Sequence, residues 1–235
     1  MSTTSIKKSS RIWLNRQSRD PFVKKSKQDG YRSRAAYKLL EIQKKYNILK
    51  SGMAVIDLGA APGSWSQVAS EIIFGNSLSP ASLTPSLSQR ERGELKEGFK
   101  VNGGRIISVD LLPIDLIKDV DIIQGDFTDP KIFEQICSLS NGKVDFILSD
   151  IAPNLSGIWA VDIPKSRYLS EIVLDLVKSL LKKEGGLLIK VFHGEGFDKY
   201  LILLRKYFAK VIICKPKSSR AESREVYVLA KGYYE

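Results

Sequence analysis

The stretch that decides the fold runs from Asp57 to Gln67 and reads DLGAAPGSWSQ. It follows directly on the apolar run Met53–Leu58, which we predict to be a buried β-strand. Glycine and small residues let a backbone approach a ligand closely, and the helix predicted next would offer free N–H groups there. A purely structural tight turn would need neither Pro62 nor Trp65 together with Asp57. The stretch therefore predicts a strand–turn–helix unit with a nucleotide-like ligand at its turn.

Outward from this unit, short apolar runs alternate with longer helical patterns, as in doubly wound α/β proteins. The predicted strands are Met53–Leu58, Arg105–Asp110, Asp121–Gln124, Val144–Asp150, Gly186–Phe192, Lys210–Lys215 and Val226–Lys231. The predicted helices cover residues 33–47, 64–74, 130–139, 166–183 and 196–208. This order predicts an α/β, Rossmann-like, mostly parallel seven-stranded sheet with helices on both faces. The last two strands, with no helix between them, would form an antiparallel edge.

Two segments do not fit this alternation. Residues 1–30 are charged and rich in Ser without periodicity, so we expect 1–32 to form a mobile basic arm before a single domain over 33–235. Residues 76–103 are rich in Ser, Pro, Gly and charge, and a structureless loop of that length is uncommon inside a compact domain. We expect a flexible insertion there, away from the active site.

The positive charge of the chain is concentrated at one end. The formal net charge is +11, and residues 1–50 hold 14 Lys and Arg against 3 Asp and Glu, while the remainder holds 23 of each. Such a distribution favours a polyanionic partner. For RNA, the binding surface would comprise residues 7–50 with Lys215, Lys217, Arg220 and Arg224. Aromatic residues among these charges would stack on bases or pack against the domain: Trp13, Phe22 and Tyr31.

Several classes of site and location are disfavoured by composition. The N-terminus has no apolar signal region, and no stretch approaches the ~18 apolar residues of a membrane span, so we expect a cytoplasmic protein without membrane contact. Cys137 and Cys214 have no C-x-x-C spacing, which favours reduced, buried thiols over zinc or a disulfide. The single histidine, His193, is expected to be an ordinary hydrogen-bonded residue at a strand end.

Acidic residues end two further predicted strands. Asp110 closes IISVD and Asp126 follows in QGDF. In α/β nucleotide-binding proteins, a carboxylate at this position accepts hydrogen bonds from ribose hydroxyls, whereas a single strand-end Asp is often only a helix cap. With Asp57 they give three acids at consecutive strand ends, which favours an adenosine-like ligand. The same acids argue against NADP or a P-loop nucleotide, whose phosphates need basic residues.

Four charged residues are poorly suited to their surroundings. Lys38 lies on the first predicted helix, Asp150 ends an apolar strand, Lys190 interrupts GGLLIKVF, and Glu225 precedes VYVLA. A buried ammonium is costly unless it is paired, because burial disfavours the charged form. Two interpretations of Lys190 follow: a base for proton transfer, or one half of a structural Lys–Asp ion pair.

Seven motifs occur in order along the chain. They are SRAAYKL (33–39), DLGAAPGSWS (57–66), DLLP (110–113), QGDF (124–127), SDIAPNLSG (149–157), KVF (190–192), and SSR (218–220) followed by SREVY (223–227). In this order they resemble the FtsJ/RrmJ (RlmE) family of ribosomal RNA large-subunit 2′-O-ribose methyltransferases. The resemblance runs from about residue 11 to the C-terminus, and the 76–103 insertion departs from the family pattern without interrupting a motif.

The resemblance implies an enzyme with the S-adenosyl-L-methionine-dependent methyltransferase fold that transfers a methyl group in line to a ribose 2′-oxygen. It implies a catalytic tetrad of Lys38, Asp150, Lys190 and Glu225. Cofactor contacts are implied at Gly63, Trp65, Asp110, Asp126 and Asp150, with Asp126 near the adenine and Asp110 at the cofactor ribose. The implied substrate is a uridine in the A-loop of 23S rRNA, in the assembled 50S subunit of the bacterial cytoplasm. We expect a monomer and no metal.

Three other functions stay open at this point. A cofactor-binding ribosome-assembly factor would dock without methylating, although the intact tetrad speaks against it. A related enzyme acting on tRNA or an mRNA cap is disfavoured by the short C-terminus and the lack of added domains. An NAD-linked dehydrogenase is disfavoured because G-A-A-P-G departs from the G-x-G-x-x-G spacing and no His or Tyr marks a hydride-transfer site.

Overall fold

The structure, a computed structural model, describes residues 19–75, 103–153, 156–220 and 223–234. The helices are α1 (Pro21–Gln28), α2 (Ala36–Tyr46), α3 (Ser64–Phe74), α4 (Pro130–Ser140), α5 (Trp159–Leu180) and α6 (Phe197–Arg205). The strands are β1 (Ala54–Leu58), β2 (Arg105–Asp110), β3 (Asp121–Gln124), β4 (Val144–Ser149), β5 (Leu181–Phe192), β6 (Phe208–Cys214) and β7 (Glu225–Tyr233).

The strands form one sheet in the order β3-β2-β1-β4-β5-β7-β6. Neighbours from β3 to β5 pair in parallel, whereas β7 pairs antiparallel with both β5 and β6. The prediction of a mostly parallel seven-stranded α/β sheet with an antiparallel edge is confirmed. Two bounds differ most from the prediction. Helix α5 begins at Trp159, with Pro164 inside it, and β5 begins at Leu181, directly after that helix.

Alternating side chains of the central strands supply a core on each face of the sheet. On β1, Ile56 and Leu58 face the layer of α4, α5 and α6. Val55, the residue before Ile56, points to the opposite face and packs in the layer of α2 and α3. The helices contribute apolar stripes such as Leu39 and Ile42 of α2 to the second layer. Both faces of the central strands are thus buried, which explains why β1 and β4 are almost continuously apolar.

Helix α1 lies within the segment for which the sequence shows no periodicity. Asp20 caps it by accepting a hydrogen bond from the Phe22 backbone N–H at 3.0 Å. The same carboxylate, only 7% exposed, forms ion pairs with Arg34 and, at 3.3 Å, with Arg220. Within the predicted basic arm, Pro21–Gln28 thus form a helix held by partners distant in sequence, and the mobility of the arm stays a prediction.

Residues 76–102, which carry almost all of the predicted insertion, lie outside the described residues. Within the described ranges, no helix combines the length and the apolar character that crossing a bilayer requires.

Candidate active site

The residues singled out from the sequence meet at one edge of the sheet. Parallel strands β1 to β5 all end there, and β7, which runs the opposite way, begins there. Asp110 ends β2, Asp150 follows β4, Lys190 lies near the end of β5, and Glu225 opens β7. Ligands of open α/β sheets bind at this carboxyl edge. The topology therefore brings together side chains from distant parts of the chain.

The four charged residues form two ion pairs. Lys190 Nζ lies 3.0 Å from Asp150 Oδ1 and donates to the Asp150 backbone carbonyl at 2.5 Å. Lys38 Nζ lies 2.6 Å from Glu225 Oε1. All four side chains are at least four-fifths buried, with exposures between 9% and 17%. Pairs this buried are strongly coupled, since removal of one partner leaves an uncompensated charge.

Tyr227 joins the two pairs. Its hydroxyl donates to Asp150 Oδ1 at 2.8 Å and lies 3.4 Å from Glu225 Oε1. The ring is fully buried, and Lys38 Nζ lies 5.5 Å from its centroid. In the sequence, Tyr227 ends the SREVY motif, which by itself assigns it no role. Strand alternation would have predicted its place at the site. Residues two apart on a strand share a face, so the side chain of Tyr227 projects on the same side as that of Glu225.

The β5–β7 register fixes this arrangement. Lys190 stands directly opposite Tyr227, and Phe192 stands opposite Glu225. Directly opposed residues of an antiparallel pair project on the same side, with Cβ atoms about 5 Å apart. A slip of one residue would turn Glu225 and Tyr227 away from Lys190. The tetrad is therefore held by backbone pairing as well as by its own ion pairs.

Electrostatics keep Asp150 ionised. Burial alone would raise its pKa, but the ammonium groups of Lys190 and Lys38 and the Tyr227 hydroxyl hold the pKa below its usual range. Burial and the nearby carboxylates of Asp150 and Glu225 raise the pKa of Tyr227, so its phenol stays protonated and donates. The site thus presents a fixed negative charge at the end of β4.

Helix α2 brings Lys38 to the site through packing around Trp65. The Trp65 indole Nε1 donates to the Ala35 carbonyl at 2.8 Å, and its ring lies 5.5 Å from that of Tyr227. Trp65 is only 2% exposed. Its side chain therefore contacts both the start of α2 and the Tyr227 ring. Its backbone lies in the first turn of α3, next to the glycine turn. The predicted cofactor contact of Trp65 stays a prediction.

The turn after β1 is tightly packed at Gly63. Gly63 adopts φ +105°, and a Cβ there would lie 2.7 Å from both Arg32 Nη1 and Ile117 Cδ1. Arg32 holds this region by donating to the carbonyls of Pro62 and Asp115 at 2.9 and 2.8 Å. An L side chain at Gly63 would be strained in both conformation and space. Gly63 also caps α3 without a side chain, so the first-turn N–H groups of α3 face the turn.

The two strand-end acids lie beside this turn. Asp110 accepts hydrogen bonds from Ala61 N–H at 2.9 Å and from Leu112 N–H at 2.8 Å. The Asp110 backbone carbonyl accepts from Gly125 N–H at 2.8 Å, which places the QGDF segment next to it. Asp126 is exposed, and its Oδ1 accepts from the backbone and hydroxyl of Thr128. Both acids hold local loop structure as well as lying where a ligand would bind.

Asp57 lies beneath the turn with its carboxyl completely buried. Oδ2 accepts from the Ser66 hydroxyl at 2.6 Å, whereas Oδ1 has no hydrogen-bond partner among the described residues. Burial, followed by the negative charges of Asp150 and Asp110, raises the pKa of Asp57 to about 7 in spite of the Ser66 bond. At neutral pH this carboxyl is therefore close to half-protonated.

Known proteins share this architecture. The FtsJ-like methyltransferase family model matches residues 31–233, a range that contains the glycine turn, the strand-end acids and the four paired charges. Over 227 residues the chain is 48% identical to ribosomal RNA large subunit methyltransferase E of Pseudomonas fluorescens (strain Pf0-1), with 96% of each chain covered. It is 46% identical to the protein of the same name from Marinobacter nauticus, with 96% of this chain and 97% of that one covered.

Solved structures agree with the sequence relatives. A crystal structure of a protein named as a ribosomal RNA methyltransferase from Plasmodium falciparum superposes with a TM-score of 0.67 at 27% identity, covering 86% of this chain and 98% of that one. The family predicted from the seven motifs is confirmed by the family model and by relatives that match almost the whole chain. The protein is a methyltransferase and belongs to the FtsJ-like methyltransferase family.

Proposed function

We propose that this protein uses S-adenosyl-L-methionine to methylate a ribose 2′-oxygen in large-subunit ribosomal RNA. The observation that carries the proposal is the buried Lys190–Asp150 pair, linked through Tyr227 to the Lys38–Glu225 pair at the carboxyl edge of the sheet. The names of the relatives support ribosomal RNA as the substrate. The finer target is a uridine of the A-loop, methylated in the assembled 50S subunit, and it rests on the motif resemblance.

The residues around the β1 turn fit the cofactor. Gly63, at φ +105°, adopts a conformation that L side chains rarely adopt and so sets the tight turn before α3. Asp110 and Asp126 would accept hydrogen bonds from the ribose and the adenine region, and the first turn of α3 offers N–H groups to a carboxylate. Asp150, held ionised, would lie near the positive sulfur. When bound, the cofactor would supply a methyl group that is already activated by the positive charge on that sulfur.

The tetrad residues would orient the hydroxyl and accept its proton. Lys190 Nζ would take or direct the proton of the 2′-hydroxyl, and Asp150 would hold Lys190 in position through their 3.0 Å pair. Lys38 and Glu225 would fix the hydroxyl by their own hydrogen-bonding groups, with the Ser219 hydroxyl holding Glu225 Oε1 at 3.2 Å. Because the methyl donor is activated, alignment of oxygen and methyl should supply much of the rate.

The test is transfer of labelled methyl from S-adenosyl-L-methionine to 50S subunits that lack the modification, alongside free rRNA and tRNA. Lys190→Ala should lose transfer while retaining cofactor affinity. The matched control is Lys182→Ala, which removes an exposed Lys–Asp pair (2.7 Å to Asp145) from the other end of β5. Label on tRNA would identify tRNA as the substrate and leave the proposed methyl transfer unchanged. Cofactor binding without transfer to any RNA would refute the proposal in favour of an assembly factor.

A further inference from the structure

One large aromatic side chain lies exposed at the edge of the site. Trp159, the first residue of α5, is 40% exposed, and its neighbours Ile158 and Val161 are 60% and 39% exposed. Trp65, by contrast, is buried in the core. An exposed indole flanked by apolar side chains marks a surface that gains free energy when it is covered. The tetrad does not use Trp159.

Two contacts place Trp159 beside the tetrad. Its ring meets that of Phe192 edge-on, with centroids 6.1 Å apart, and Phe192 stands directly opposite Glu225 in the β5–β7 pairing. The Arg224 guanidinium lies 5.0 Å from the Trp159 ring centroid, and Arg224 immediately precedes Glu225 in the chain. Each contact therefore involves a residue next to Glu225: Phe192 is its cross-strand partner, and Arg224 is its neighbour in sequence.

The start of α5 is held firmly in place. Asp162, 1% exposed, accepts hydrogen bonds from the backbone N–H groups of Ser156 at 2.8 Å and Gly157 at 3.0 Å. At Gly194, just beyond β5, a Cβ would lie 2.5 Å from Ile163 Cδ1, so the helix packs closely on the strand end. Because its helix start is fixed, Trp159 would pay little ordering entropy when a ligand stacks on it.

We propose that Trp159 and Arg224 form a stacking subsite for an unpaired nucleobase next to the ribose that is methylated. Bases splayed out of an RNA strand stack on aromatic rings and on guanidinium planes, and this pair offers both. The nearby cations Lys215 and Arg224 are exposed and would attract the phosphates on either side. The subsite deepens the proposed function and rests on RNA being the substrate.

Steady-state methyl transfer to unmodified 50S subunits tests the subsite through variants of α5. Trp159→Ala should raise KM about tenfold with little change in kcat, since stacking on a preformed surface is uniform binding. Trp159→Phe should retain most of the affinity, because a smaller ring still stacks. Tyr168→Ala is the matched control: Tyr168 is a 64% exposed aromatic nine residues along the same helix, on the opposite face, and its loss should change neither constant.

Tryptophan fluorescence gives a second readout that does not require turnover. The chain has three tryptophans, so a Trp13→Phe background leaves only buried Trp65 and exposed Trp159 to emit. A short single-stranded RNA oligonucleotide should quench this emission, and adding Trp159→Phe should abolish the quenching. The salt dependence of RNA affinity distinguishes stacking from charge contacts. Trp159→Ala should lower the affinity without changing the slope of log K against log salt concentration.

An unchanged KM for Trp159→Ala, or an absence of quenching in the Trp13→Phe protein, would overturn the subsite. A loss of 50S affinity without loss of oligonucleotide affinity would also overturn it, because Trp159 would then contact a ribosomal protein. If the unaltered protein transfers no methyl to any RNA, the proposed function fails, while the quenching measurement still decides whether Trp159 stacks on a base.

Discussion

Replacement of Asp57 by Asn should remove a pH dependence from the stability of this protein. The carboxyl is fully buried beneath the glycine turn, with one oxygen bonded to Ser66 and the other without a partner among the described residues. Its pKa in the folded protein is raised to about 7, chiefly by burial. Asn has almost the same shape and stays neutral, so comparison of the two proteins isolates the ionisation.

The magnitude follows from linkage between proton binding and folding. An Asp in an unfolded chain has a pKa of ~3.9, and each unit of difference is worth ~1.4 kcal/mol. Between pH 4 and pH 7 the folded protein holds the proton and the unfolded chain does not, so the free energy of unfolding falls as pH rises. From pH 5 to pH 8, the stability of the unaltered protein relative to Asp57→Asn should fall by about 3 kcal/mol.

The assay is urea unfolding of both proteins, without cofactor, at pH 5, 6, 7 and 8, with equal m-values required for the comparison. Asp121→Asn serves as the control, since Asp121 is an exposed carboxyl at the start of β3 and its removal should give a flat difference. A difference between the unaltered protein and Asp57→Asn that stays constant within ~0.5 kcal/mol across this range would refute the reasoning. It would mean that folded Asp57 is ionised throughout and that burial does not dominate its pKa.

Three further changes have expected outcomes. Tyr227→Phe keeps the packed ring but removes the hydroxyl between Asp150 and Glu225, so methyl transfer should fall about tenfold with a stability loss of ~1–3 kcal/mol, by rate assay and urea unfolding. Gly63→Ala should weaken calorimetric cofactor binding, because a Cβ is strained at φ +105° and the side chains of Arg32 and Ile117 would have to shift; unchanged affinity would contradict this. Asp20→Ala should expose α1 to limited proteolysis at neutral pH, since it removes the cap and leaves two arginines unpaired; a cleavage rate equal to that of the unaltered protein would count against it.

The fold was predictable because hydrophobic periodicity is local information. Each central strand appeared as an apolar run, and the bounds of β2 and β3 agree with the prediction to the residue. The polar exceptions within these runs were equally informative. Lys190 interrupts a buried strand, and such a residue is retained only where a partner compensates it; the structure supplies Asp150 at 3.0 Å. Sequence therefore pointed to the four charged residues that the structure joins as two ion pairs.

Contacts between distant segments were not predictable in the same way. Nothing near Trp65 in the sequence indicates that its indole bonds to Ala35 and packs on Tyr227. Helix α1 has a similar origin, since its eight residues are too few for a stable isolated helix. It forms because Asp20 meets Arg34 and Arg220, from opposite ends of the chain. Periodicity cannot report an ion pair between such distant positions.

The same long-range contacts connect the basic N-terminal region to the four paired charges. Arg34 also donates to the Ser218 carbonyl, and Glu41 accepts from the backbone N–H groups of Lys217 and Ser218 at 2.6 and 2.9 Å. These bonds clamp α2 onto the loop that leads into β7, and Lys38 and Glu225 lie on the two elements so joined. Lys38 can therefore complete the tetrad only while α2 is docked on that loop. A ligand that pulled α2 away would separate Lys38 from Glu225, whereas one that bridged α2 and the loop would reinforce the site.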